Sequence, residues 1–243
     1  MKVFACDFDK TLYHWGEGIK EEDRKAIQSF QKKGNKFGLC TGRPYSGVKE
    51  TCHLVDYDFM ILCNGAIIID HNGSFLLEKK MDQGSLFCVV KDYKEEIINL
   101  AAKEDNFVFE QGKVPFTQIR ITTMEEIEDT PIYMVSLYFD SEMEAAKATN
   151  EINIKYPSLV AFQNLSYVDI MASGCTKGNG ASFIKNKWNA TQLYGMGDSY
   201  NDIPLLKAVD IAYTFSHSPQ EVKNAAHIFV DSVAEALEKI EEN

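Results

Sequence analysis

The sequence predicts an α/β protein, a doubly wound parallel sheet interrupted by an inserted α+β module. Three observations predict it. Short continuous apolar runs such as Lys2–Cys6 and Phe59–Cys63 suit strands buried on both faces. They alternate with segments of helical period, the rhythm of right-handed βαβ crossovers. That rhythm stops near residue 82 and resumes near residue 173, so the intervening stretch forms a unit of its own.

The elements follow in order. Lys2–Cys6 reads as a strand, Glu21–Lys33 as an amphipathic helix closed by Gly34, and Lys36–Cys40 as a second strand. Tyr45–Leu54 reads as a helix and Phe59–Cys63 as a third strand. Ala66–Asp70 and Phe75–Lys79 flank His71-Asn72-Gly73-Ser74, a hairpin signal with Asn-Gly at the turn. The inserted module reads as helix Phe87–Ala102, strands Phe107–Glu110, Gln118–Ile121 and Ile132–Phe139, helix Glu142–Tyr156, and strands Leu159–Asn164 and Tyr167–Ala172. The parallel pattern then resumes: helix Lys177–Lys187, strand Leu193–Met196, helix Asp202–Ala208, strand Asp210–Tyr213, helix Pro219–Ala226, strand Ile228–Val230 and a helix from Ser232. The predicted boundaries are 1–81 and 173–243 for the sheet-bearing core and 82–172 for the insert.

With 243 residues, 45% of them hydrophobic and 25% charged, the chain can bury a sizeable core. Its net charge of −11 argues against a nucleic-acid surface, which needs a basic stripe. It leaves room for an anionic small molecule, because one divalent cation inverts the local field. No run has the length of a membrane span, and the apolar stretch after Lys2 is too short for a signal segment, so cytoplasmic residence is expected. The six cysteines form no CxxC pair and read as small buried hydrophobes in a reducing compartment.

The polar residues collect in four places. Asp7, Phe8, Asp9 and Thr11 follow the first strand, and Thr41-Gly42-Arg43 follows the second. Lys177-Gly178 opens a helix, and Gly197-Asp198-Ser199-Tyr200-Asn201-Asp202 follows the strand ending at Met196. Taken singly, each has a plain structural reading: turn residue, N-cap, solvated lysine, helix-capping carboxylate. Taken together they fall at strand carboxyl ends, where doubly wound sheets bind ligands. Carboxylates buried there cost free energy unless a metal ion or a phosphorylated substrate completes their shells. Residues two apart in a strand face one side, about 6.6 Å apart, so Asp7 and Asp9 can address one ligand.

DFDKT, TGR, KG and GDSYND resemble the four motifs of the haloacid-dehalogenase superfamily of phosphohydrolases. The insert and the pattern GDSYNDIPLLKAVDIAYTF…SPQEVKNAA are similar to its Cof-type branch (subclass IIB), which carries a large cap on a Rossmann-like core. Two departures are Lys10, where many relatives have glycine, and the single asparagine of CNGA, Asn64, where the branch often has two.

The resemblance implies a Mg²⁺-dependent phosphatase acting on small phosphorylated metabolites, sugar phosphates above all. Asp7 would attack phosphorus and form an aspartyl-phosphate; Asp9 would protonate the leaving alcohol and then activate water. The metal ligands implied are Asp7, the main-chain carbonyl of Asp9 and the Asp198 carboxylate, with Asp202 steadying them from behind. Thr41, Gly42, Lys177 and Asn201 would hold the phosphoryl oxygens, with Gly42 at a helix start and Lys177 as a catalytic point charge. Arg43 and Tyr45 have two readings, contact with the leaving group or ordinary solvation and packing. A sugar phosphomutase of the same branch and a non-hydrolytic phospho-accepting signalling protein are the alternatives. No nucleic-acid or membrane partner is expected. The sequence leaves the substrate and the oligomeric state open.

Overall fold

In the computed structural model, residues 1–109 and 118–241 are described. The sheet-forming runs of the first part are β1 (Lys2–Asp7), β2 (Lys36–Cys40), β3 (Phe59–Leu62), β4 (Ile67–Asp70) and β5 (Phe75–Glu78), with α1 (Glu21–Lys32) and α2 (Tyr45–Val48) between them. The insert contributes α3 (Gln83–Asp92), β6 (Ile97–Ala101), β7 (Asn106–Phe109), β8 (Ile119–Ile121), β9 (Met134–Tyr138), α4 (Glu142–Lys155), β10 (Leu159–Asn164) and β11 (Tyr167–Ala172). The last part returns with α5 (Lys177–Lys187), β12 (Gln192–Met196), α6 (Ile203–Ala208), β13 (Ile211–Phe215), α7 (Gln220–Ala225), β14 (Ile228–Val230) and α8 (Val233–Glu241).

Two sheets result. The first has eight strands in the order β14-β13-β12-β1-β2-β3-β4-β5, parallel from β14 to β3 and antiparallel at the β4–β5 hairpin. Its strands are apolar on both sides because both sides are covered. Phe4 and Cys6 of β1 pack with Ile27, Phe30, Leu237 and Ile240 of α1 and α8. Val3 and Ala5 face the opposite way, against Ala181, Ile184, Leu205 and Val222 of α5, α6 and α7. β1 lies between β12 and β2, so its carboxyl end is the centre of the sheet's rim.

The second sheet has six strands, β10-β11-β9-β6-β7-β8. One face, with Ile98, Leu100, Val135, Leu137, Val168 and Ile170, packs on α3 and α4 through Leu86, Val89, Ala145 and Ile152. On the other face Ala101, Met134 and Met171 join the apolar cluster of the first sheet. The cap sheet thus turns its own reverse side toward the core.

Three predicted helices differ. Tyr45–Leu54 is a single α-turn over Tyr45–Val48 followed by a 3₁₀ turn over Cys52–Leu54. Gly47 weakens the helix interior, and the Thr51 hydroxyl donates to the Val48 carbonyl at 3.2 Å, a local bond that competes with helix continuation. Phe87–Ala102 divides into α3 and β6. Asp82 caps α3 by accepting from the Ser85 N–H at 2.9 Å, and the Ile97–Ala101 run is claimed by β7 and β9 on either side. A five-residue apolar run carrying an Ile-Ile pair is ambiguous by period, and strand pairing decides it. Asp202–Ala208 begins as a 3₁₀ turn over Tyr200–Asp202 before α6. Glu110 of the expected strand Phe107–Glu110 lies outside the described residues. Among the described residues no helix is long and apolar enough to cross a membrane.

Candidate active site

The end of β1 presents Asp7, buried, and the chain then folds over itself. The Phe8 N–H donates to the Cys40 carbonyl at 3.1 Å, and Leu12 and Tyr13 both donate back to the Phe8 carbonyl. This tight turn carries Asp9 and Thr11 above the rim. It requires a left-handed backbone at Lys10, φ 64°, a region that favours glycine, so lysine here is under some strain.

Lys177, at the first turn of α5, is 1% exposed. Its Nζ lies 2.6 Å from Asp7 Oδ1 and 2.6 Å from Asp202 Oδ1. Burial alone would lower its pKa, but the two carboxylates outweigh burial and hold it well above the usual lysine range. It is a fixed ammonium, and the solvated reading of Lys177 is excluded.

Asp202 organises the loop after β12. Its Oδ2 accepts from the N–H groups of Asp198 at 3.1 Å and Ser199 at 3.0 Å. A Cβ on Gly197 would stand 2.4 Å from the Asp202 carboxyl carbon, so only glycine lets that carboxylate reach the loop amides. Asp198 accepts from the Thr11 hydroxyl at 3.0 Å, which joins the loop after β1 to the loop after β12. Burial, then the nearby Asp202 charge, raise the pKa of both Asp7 and Asp198. One carboxylate oxygen from each of Asp7, Asp198 and Asp202 lies within 4.8 Å of the others. Asp7 Oδ2 is buried and has no hydrogen-bond partner. Hard oxygen donors with an unmet buried oxygen among them fit a cation. Asp202, with Lys177 on one oxygen and two amides on the other, is better placed to hold the assembly than to coordinate.

The remaining predicted residues lie around this centre. Thr41 is buried, and its Oγ1 accepts from the Arg43 N–H at 3.0 Å, which leaves the hydroxyl hydrogen for an anion. Gly42 follows on the same rim. The helix expected to start there is one turn long, so its N–H can serve as a donor with little dipole behind it. Asn201 Oδ1 accepts from Ser199 Oγ at 2.8 Å, which directs its carbonyl into the loop and leaves the NH₂ as the group able to meet a ligand. Asp9 stands apart from the carboxylate cluster, paired with the Arg43 guanidinium. Arg43 also donates to the Gly47 carbonyl at 3.0 Å and lies 4.8 Å over the Trp15 ring. Its side chain is 11% exposed, so the solvated reading fails for Arg43 as well. Its place in the TGR motif was the available signal.

One buried carboxylate at this site carried no motif signal. Asp169 of β11 reaches the core from the cap, with Oδ2 3.4 Å from Asn64 Nδ2 and Oδ1 2.8 Å from Ser136 Oγ.

An inserted cap over the carboxyl ends of a parallel sheet, with a buried lysine between carboxylates at the central strand, defines a capped α/β fold with a charged site at its rim. The chain belongs to the haloacid dehalogenase-like hydrolases, whose family pattern matches residues 4–237. Relatives similar to it are named phosphatases, and structures of the same fold include a subclass IIB member. Among its relatives, a 5-amino-6-(5-phospho-D-ribitylamino)uracil phosphatase of Bacillus subtilis is 26% identical over 242 residues, covering 96% of this chain and 90% of the relative. The fold is also that of the phosphatase BT1666 from Bacteroides thetaiotaomicron, with a TM-score of 0.85 at 22% identity over 100% of this chain and 94% of that one. The subclass IIB sugar phosphatase BT4131 is similar, with a TM-score of 0.81 at 19% identity over 100% of this chain and 98% of that one.

Proposed function

We propose that the protein is a Mg²⁺-dependent phosphatase of small phosphorylated metabolites, sugar phosphates in particular, acting through an aspartyl-phosphate on Asp7. The unmet Oδ2 of Asp7 carries this reading, because it is a fully buried carboxylate oxygen of the cluster with no protein group to satisfy it. The names of two similar proteins, a ribityl-phosphate phosphatase and a sugar phosphatase, support the substrate class. The division into core 1–81 and 173–243 with cap 82–172 belongs to the same reading, supported by the stretches from which each sheet is drawn.

Asp7, the Asp9 main-chain carbonyl and Asp198 would hold the metal, with Asp202 behind them. Bound there, Mg²⁺ supplies positive charge that offsets repulsion between Asp7 and an incoming phosphate. Lys177 aims Asp7 by its 2.6 Å contact and favours its ionised form against burial, and brings a cation to the charge spread over the equatorial oxygens. The Thr41 hydroxyl, the Gly42 N–H and the Asn201 amide donate to those oxygens. Asp7 Oδ2 displaces the alcohol at phosphorus. Asp9 gives the departing oxygen its proton, which requires release from Arg43, and then takes one from the water that cleaves the acyl phosphate. The cytoplasm, where such metabolites reside, is the compartment proposed.

The test is hydrolysis of para-nitrophenyl phosphate with Mg²⁺, with and without chelator. Release of inorganic phosphate that stops on chelation is expected. Conversion of a hexose phosphate to an isomer with no phosphate released would instead make the protein a mutase.

A further inference from the structure

We propose that Asp169, with Asn64, is the specificity-determining pair for the leaving group, and that it selects phosphate esters of uncharged polyhydroxylated chains. The assignment rests on the phosphatase reading of the Asp7 site and adds what the cap demands of the rest of the substrate.

Strand alternation places Asp169. Val168 and Ile170 face the cap helices, while Met171 faces the core, so Asp169 shares the core-facing side. Register sets Ser136 of β9 directly beside it, and Asn99 of β6 beside Ser136, which makes a polar row across an otherwise apolar face. From that row Asp169 meets the core at Asn64, just after β3. A Cβ on Gly42 would lie 3.3 Å from Asp169 Oδ2 and 3.2 Å from Asn64 Nδ2. The cap carboxylate therefore stands over the same glycine whose N–H is proposed for phosphate. Asn64 follows β3, two strand spacings or about 10 Å from Asp7's strand, a distance that a phosphate and a short carbon chain cover.

The hydrogen-bond inventory fixes the chemistry. An ionised carboxylate has about four acceptor sites. Ser136 and the Asn64 NH₂ take one each, and the second contact is long. Asn64 turns its NH₂ to Asp169, so its Oδ1 points away, and that oxygen is buried without a partner. Asn64 holds this pose on a left-handed backbone, φ 49°, which is strained for a side-chain-bearing residue. The pair is thus rich in acceptors that lack donors. Hydroxyl groups supply donors; a carboxylate or second phosphate supplies further acceptors and like charge. Burial pushes the Asp169 carboxyl up to about 6, partly offset by Ser136, Asn64 and the Lys177 charge, so it is an acceptor at neutral pH.

The test compares kcat/KM, with Mg²⁺ on the full chain, for a pentitol phosphate, the pentonate phosphate of equal length and para-nitrophenyl phosphate. The native protein is expected to prefer the pentitol ester over the pentonate ester at least tenfold. Asp169→Asn should lower pentitol kcat/KM at least tenfold more than para-nitrophenyl kcat/KM, mainly through KM, and narrow the pentitol-to-pentonate ratio. Ser136→Ala, which frees Asp169 to move, should shift the same ratios in the same direction by a smaller factor, and it reads the assignment even where Asp169→Asn folds poorly. Equal losses on all three esters, or unchanged ratios in both variants, would overturn the assignment while leaving the phosphatase reading intact. A native protein that turns over none of the esters would overturn both.

Discussion

The rim of the eight-stranded sheet and the inner face of the cap sheet each bury a carboxylate, and they treat it in opposite ways. Asp7 is matched by a buried ammonium 2.6 Å away and lies close to two further carboxylates, a densely charged cluster that on the proposed function takes an ion and a phosphoryl group. Among the described residues Asp169 is met by a hydroxyl and an amide, with the Lys177 charge acting through space. On the proposed function the difference teaches how the work is divided: strong fixed charge where bonds would change, weaker unmet polarity where a neutral group would be told from a charged one.

Removing the proposed nucleophile is expected to have the largest effect. Asp7→Asn should lower kcat on para-nitrophenyl phosphate by about 10³-fold or more, read by phosphate release, and near-native turnover in that variant would contradict the nucleophile assignment. Asp9→Asn should cost about 10²–10⁴-fold with alkyl esters, whose alkoxide needs a proton, and much less with the acidic nitrophenol. A leaving-group-independent loss would speak against acid catalysis by Asp9.

Two stability measurements sharpen the comparison because their signs differ. Lys177→Met leaves Asp7 and Asp202 buried together without their cation, and should destabilise the protein by roughly 3–5 kcal/mol in urea melts. For Asp169 the folded carboxyl holds its proton more tightly than the unfolded one, from 3.8 up to about 6. Ionisation therefore weakens the folded state: the penalty is absent below about pH 4, grows up to pH 6 and is constant above. Asp169→Asn should stabilise by about 2–3 kcal/mol at pH 8 and by almost nothing at pH 4, a gain in stability won at the expense of selectivity. Destabilisation at pH 8 would make Asp169 a structural clasp between the two sheets.

The core site was legible because its residues sit in short motifs at the ends of continuous apolar strands. Asp7, Asp198 and Lys177 could be grouped from motifs at element ends and from the family resemblance, although nothing local told that Lys177 would be buried. Asp169 was illegible for a physical reason. It sits inside Tyr167–Ala172, a strand recognised as such, but its partner Asn64 is 105 residues away and its neighbour Ser136 comes only from strand register. Arg43 lay within the TGR motif, yet its pairing with Asp9 depends on how the turn at Lys10 lifts Asp9 off the rim. In the fold, runs with covered faces were readable, whereas Ile97–Ala101 owes its strand to β7 and β9, contacts that no local period records.

Covalent transfer to Asp7 is tested most directly by mixing the protein with Mg²⁺ and a ³²P-labelled ester, quenching in acid within one turnover and mapping the label. The result expected is a hydroxylamine-labile label on the peptide that carries Asp7. Full turnover with no protein-bound label under saturating ester, or a label on another residue, would contradict it.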